Sequence, residues 1–186
     1  MNARARGFTL LEIMVALSIL GILATLSVVG YQELIVKRRE SNAIREIYAV
    51  ALEARQRARV SQQPVRVVAR QVTEDGRPRT RVRWERPQCS GTGFEPTCPM
   101  SACQTNVCGQ GGCVCDAVGL DVQVPPTLDV SNLAGLCFLG GSAKPRGLAC
   151  QSGGPVVSQV LLRVPHRHEQ QALLVEPLTG MVRMAD

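Results

Sequence analysis

The sequence predicts an α+β protein: a long N-terminal helix packed on an antiparallel sheet, with a disulfide-rich insert. Three observations predict it. A long apolar run near the N-terminus passes into a stripe of apolar residues at helical spacing. Segments with strand-like alternation bracket turn-rich stretches in the middle of the chain and again near its end. All eight cysteines fall between Cys89 and Cys150. At 186 residues the chain has room for one modest domain and an N-terminal appendage.

The first element is a short basic leader, residues 1–7, with Arg4 and Arg6 and no acid. Phe8 then opens an apolar run that reaches Tyr31 and whose only charge is Glu12. An α-helix needs roughly 20 apolar residues to cross a bilayer core, so residues 8–32 read as a transmembrane helix. An ordinary secretory signal has an apolar region of about 7–15 residues followed by a small-residue cleavage site, which this run exceeds. A plain signal anchor fits the hydropathy but leaves Glu12 unexplained. A carboxylate inside a membrane helix costs a few kcal/mol and marks a functional position whose natural partner is a cation.

Residues 33–62 continue the helix as an amphipathic half. Ile44, Ile47, Tyr48, Ala51, Ala54 and Ala58 form one stripe, suited to packing on a sheet. Lys37, Arg38, Arg39, Arg45, Arg55, Arg57 and Arg59 fall mostly elsewhere. The helix is expected from about Thr9 to about Val60, ending before Pro64.

A globular β domain is expected over 63–186. Val65–Val72 and Arg79–Arg86 flank the turn-rich segment from Glu74 to Pro78 and read as a hairpin. In its second strand Thr80, Val82 and Trp84 share one face, and Arg79, Arg81 and Arg83 share the other, which reads as solvated. Ser158–Val164, Ala172–Glu176 and Met181–Met184 read as three more strands. Core positions expected on the strands are Val82, Trp84, Leu162 and Leu174. His166 and His168 read as part of an exposed turn.

The insert, about 88–154, is rich in Gly, Ser, Thr and Pro and poor in large apolar residues. It is expected to build little core alone and therefore to need cross-links. The disulfide candidates are Cys89, Cys98, Cys103, Cys108, Cys113, Cys115, Cys137 and Cys150. Eight cysteines allow too many pairings to assign from spacing, although Cys113 and Cys115 are too close in sequence to pair with each other. The competing reading is zinc, which favours cysteine pairs separated by two to four residues. Both histidines lie outside the insert and an exported chain meets oxidising conditions, so disulfides are favoured and no metal is expected.

The residues Gly7-Phe8-Thr9-Leu10-Leu11-Glu12-Ile13-Met14-Val15-Ala16 resemble the processing motif of type IV pilins and type II secretion pseudopilins. The resemblance implies that a prepilin peptidase cuts between Gly7 and Phe8, and that the new amine of Phe8 is N-methylated. It further implies that Glu12 pairs with the Phe8 amine of a neighbouring subunit and acts in assembly. Major pilins usually carry a proline in the second half of this helix. Here no proline occurs before Pro64, which favours a minor pilin or pseudopilin. The segment from Val175 to Arg183, with its Pro-x-x-Gly turn Pro177–Gly180, resembles the C-terminal end of H-type pseudopilins and FimT-like minor pilins.

The implied function is a minor pilin or minor pseudopilin in the tip or initiating complex of a type IV pilus or type II secretion pseudopilus. Its partners would be the prepilin peptidase, other pilin subunits and the inner membrane. The C-terminal domain would lie in the periplasm before joining a filament at the cell surface. No catalytic motif and no cofactor signature stand out, so no enzyme is expected.

Net charge is +6, and loss of Arg4 and Arg6 leaves +4, with 19 basic against 15 acidic residues. A stripe such as Arg79, Arg81 and Arg83 could contact nucleic acid phosphates. The family feature tied to DNA uptake is a C-terminal Gly-Arg-x-Arg. This chain has Gly180-Met181-Val182-Arg183, and aromatics are only 3% of residues. DNA binding is therefore the alternative reading. A tip adhesin acting through the insert is another.

Overall fold

The computed structural model describes residues 9–90, 98–133, 135–147, 150 and 154–185, with backbone alone for 25–30. Gly7, Phe8 and part of the insert lie outside the described residues. By contacts the chain divides into residues 1–39 and residues 40–186, and each unit is taken by itself.

Helix α1 spans Leu10–Ser61 and contributes to both units. In the first unit, Thr9 starts it. The Thr9 hydroxyl accepts the Glu12 backbone N–H at 3.2 Å, the near half of a Thr-x-x-Glu capping box. The apolar side chains from Leu10 to Leu23 are exposed. Among the described residues no helix is long and apolar enough to cross a membrane. The expected segment 8–32 includes Phe8 and positions 25–30, whose side chains lie outside that description.

In the second unit, the stripe Ile44, Ile47, Ala51, Ala54 and Ala58 is buried as the spacing requires. Its three alanines let the helix approach the sheet closely. The helix ends where Gln62 takes a left-handed φ of 56°. There the Gly141 N–H donates to the Ala58 carbonyl at 3.0 Å, satisfying one of the open carbonyls of the last turn.

Strands β1 (Val65–Glu74) and β2 (Arg77–Pro87) form the hairpin. Its loop is the two residues Asp75 and Gly76, both at positive φ (51° and 72°). This is the turn that matches strand twist, and Asp-Gly is a favoured sequence for it. β3 (Cys115–Val118) and β4 (Val122–Val124) pair with the outer edge of β2. β5 (Leu136–Phe138) pairs with the first residues of β1, and β6 (Pro145–Arg146) pairs with β5. A second sheet holds β7 (Gln159–Val164), β8 (Glu169–Val175) and β9 (Val182–Met184). All the pairings are antiparallel.

One core joins the helix stripe to both sheets through Val65, Val67, Val82, Trp84, Val160, Leu162, Leu173 and Val175. The insert supplies β3 to β6, and its Leu128, Val130, Leu133, Leu136 and Phe138 are buried in this shared cluster. One expectation needs correction. Leu174 is 40% exposed, and its neighbour Leu173 is the core residue of β8. The run Ala172–Val175 is apolar throughout, so alternation could not set its facing. Pairing of Leu173 with Val160 sets it.

The C-terminal turn is also locked into the core. Gly180 has φ 64°, and a Cβ there would overlap the Ala143 carbonyl. Arg55 Nε donates to the Thr179 carbonyl at 3.1 Å, and the Tyr48 hydroxyl donates to the Val182 carbonyl at 3.3 Å.

Candidate functional site

The N-terminal site is described from Thr9 onward. Glu12 sits in the first turn of α1, where a carboxylate faces the positive end of the helix dipole. Among the described residues no cation pairs with its side chain. The helix start gives Glu12 a capping-box position.

A second polar site lies on the sheet face turned away from the helix. Arg66 on β1 stands directly opposite Glu85 on β2 and, on its other side, opposite Cys137 on β5. Arg66 and Glu85 are both fully buried. Arg66 Nη2 donates to Glu85 Oε2 at 3.1 Å and to the Asn106 carbonyl at 2.6 Å, while Nη1 donates to the Cys103 carbonyl. Glu85 also accepts from Arg83 (2.8 Å and 3.1 Å) and from the Cys108 backbone N–H at 3.0 Å. Burial pulls the Arg66 guanidinium below its ordinary value, and the attraction and hydrogen bond of Glu85 push it back.

The cysteine loops close over this pair. All eight cysteines are bonded, as Cys89–Cys98, Cys103–Cys113, Cys108–Cys115 and Cys137–Cys150. Cys103, Cys113, Cys137 and Cys150 are buried with Val68. Among its described residues this segment has only a 3-10 turn at Ser101–Cys103 and the short β3 to satisfy its own polar groups. Arg66 and Glu85 supply that service to three of its backbone groups. The sulfurs of Cys108, Cys113 and Cys115 lie within 4.8 Å of one another. Thiolates so placed can ligate a metal, but here each sulfur is engaged in a disulfide.

The same face carries the basic stripe. Arg79, Arg81 and Arg83 are half-buried and not solvated as the alternation suggested. Arg70 meets Asp121 at 2.5 Å, Arg81 meets Glu74 and also Asp121 at 3.9 Å, and Arg79 lies 3.7 Å from Glu74. Three acids thus hold the arginines in intrachain pairs.

The turn at His166 and His168 holds a group that sequence reading missed. Glu40 on α1 is only 3% exposed, with His166 Nε2 at 3.5 Å and Arg167 Nε at 3.8 Å. Its position one turn before Ile44 on the buried stripe was the signal. His168 ends that turn at φ 55°.

A family model described as the prokaryotic N-terminal methylation motif matches residues 2–28. No curated protein and no solved structure matches the chain. The match supports a type IV pilin-like or pseudopilin subunit, a class of structural components processed by prepilin peptidase and assembled with other pilins.

Proposed function

We propose that the chain is a minor pilin or minor pseudopilin of the H-type or FimT-like kind, working in the tip or initiating complex of a pilus or secretion pseudopilus. The observation that carries this reading is the methylation motif over residues 2–28, with Glu12 in the first turn of α1 and uncompensated among the described residues. Residues 1–7 are the leader, 8–32 the membrane helix, 33–62 the amphipathic half and 63–186 the periplasmic domain. Prepilin peptidase cuts between Gly7 and Phe8, Phe8 is N-methylated, and Glu12 pairs with a neighbour's Phe8 amine. That pairing offsets the desolvation of both charges and sets subunit register. The absence of an early proline and the Pro177–Gly180 turn support the minor class.

DNA uptake is the weaker reading, because the arginines it would use are held by Glu74, Glu85 and Asp121. Mass spectrometry of protein extracted from membranes tests the main reading. The expected mature chain begins at N-methylated Phe8. An intact leader, or a cut beyond Ala24, sinks the assignment.

A further inference from the structure

β1 is paired on one side from Arg66 to its end and on the other side only at its start. β2 partners every residue from Arg66 to Glu74, whereas β5 partners only Val65, Arg66 and Val67. The two-residue turn makes Glu74 and Arg77 a hydrogen-bonded pair, so Val72, Arg70, Val68 and Arg66 also bond to β2. The amides and carbonyls of Ala69, Gln71 and Thr73 point to the other side. Among the described residues none of the three makes a backbone hydrogen bond there. Gln71 and Thr73 are exposed. An open edge of this kind is a template for another strand.

We infer that the occupant is a second copy of this chain, joined β1 to β1 in antiparallel two-fold pairing with Val72 on the axis. The sequence of the edge is self-complementary in that register. Gln71 falls opposite the partner's Thr73, and each pair exchanges two backbone hydrogen bonds. Val72 faces the partner's Val72. Arg70 faces the partner's Glu74, twice by symmetry, so opposite charges are added beside the pairs that each already makes with Asp121 and Arg81. A slip that centres Gln71 removes the direct Arg–Glu pairing. The parity also keeps the faces in register, with the arginine face of one copy continuing that of the other.

The structure leaves room for the approach. A groove of about 380 Å³ lies between Ala69–Gln71 and Leu128–Ser131. In this register the partner's Asp75 falls opposite Ala69, where the partner's chain turns back into its own β2, so its turn sits at the groove. The pairing is isologous and closes on itself. It does not rest on the reading of the N-terminal motif.

Cross-linking of the full-length protein in detergent tests it. All native cysteines are already in disulfides, so an added thiol reports on the junction. Val72 lies at a non-hydrogen-bonded site, where antiparallel Cα atoms approach to about 4.5 Å, within disulfide reach. Val72→Cys is expected to give a disulfide-linked dimer on mild oxidation. Gln71→Cys and Thr73→Cys should link to each other when mixed and not to themselves. Adding Gln71→Pro to Val72→Cys removes an outward N–H that the hairpin does not use, and the dimer band should be lost. In the unmodified protein, the Gln71 and Thr73 amides should gain protection from hydrogen exchange as concentration rises. No dimer from Val72→Cys, self-linking of Gln71→Cys, equal linking at all three positions, or exchange independent of concentration would each overturn the proposal.

Discussion

The two faces of the β1–β2 hairpin are built by opposite means. The face toward α1 is apolar: Val65, Val67, Val82 and Trp84 join the helix stripe in one buried cluster. The face away from it carries Arg66, Arg70, Arg79, Arg81 and Arg83, yet its inner end is as dry as the core, with Arg66 and Glu85 both at 0% exposure. The first face is held by non-directional burial, which tolerates repacking. The second is held by directed bonds between a charge pair and the backbone of loops lacking regular structure. Alternation in a strand separates the two faces. It cannot tell whether the polar one meets water or a polar lid.

The largest expected effect breaks the second face. Glu85→Leu leaves the Arg66 cation buried with only two carbonyls and the Cys113 sulfur as partners and removes the acceptor for Cys108 N–H. Loss of one member of a buried pair costs about 3–5 kcal/mol in general. The combined Arg66→Met and Glu85→Leu variant should recover part of that loss, because the fully buried cation is gone while Arg83 and the loop backbone groups still lack their partner. Urea unfolding of the three proteins measures both. A cost for Glu85→Leu below about 1 kcal/mol, the range of a surface ion pair, would show that this face is solvated after all.

A smaller effect is expected from the bond that ties the loops to the sheet edge. Cys137 lies on β5 beside Arg66, and its bond to Cys150 spans 13 residues. Replacing both with alanine should lower stability by about 3 kcal/mol on the loop-closure scale. Two cysteines stand on strands of this sheet, Cys115 on β3 and Cys137 on β5. Reduction should therefore loosen the β5 edge together with the loops. Hydrogen exchange at Val65 and Val67, which pair with β5, follows this directly. Unchanged protection after reduction would return the insert to the status of a separate module.

What was legible in the sequence follows from which interactions are local. α1 was readable because its period runs over many turns, and its observed end at Ser61 lies one residue from the expected Val60. The hairpin was readable from Asp75-Gly76. Reading the turn as the longer stretch Glu74–Pro78 left the register open. With the tight two-residue turn, the register alone places Arg66 opposite Glu85, and an opposite-charge pair there was the available signal for the buried site. β3 to β6 were not readable. They are two to four residues long and lack a period, and they exist because β1 and β2 offer edges to them. Sequence reading named Glu12 from the motif and passed over its place in a capping box with Thr9, although Thr-x-x-Glu before an apolar run is itself a helix-start pattern.

The smallest expected effect lies between the two sheets, where charge acts on the apolar side's connection. Asp129 bridges by backbone to Arg163 on β7, and its Oδ1 accepts the Ser131 N–H at 2.9 Å. The backbone hydrogen bond from Ser131 chiefly holds this carboxyl below its ordinary value; a side-chain bond from Ser131 and the Arg163 charge add to it, and burial opposes. A depressed folded value means that ionised Asp129 stabilises the fold. That contribution is present in full above the unfolded aspartate value of about 3.9 and is lost as pH falls through the lower folded value. Asp129→Asn keeps an acceptor for Ser131 and removes only the charge, so at neutral pH it should cost less than about 1 kcal/mol, because solvent screens the carboxylate. The difference from wild type should narrow as pH falls below the unfolded aspartate value of about 3.9 and close once the folded-state carboxyl is protonated. Urea midpoints for the two proteins across that range decide it. A gap that persists in acid would assign the effect to side-chain geometry and not to charge.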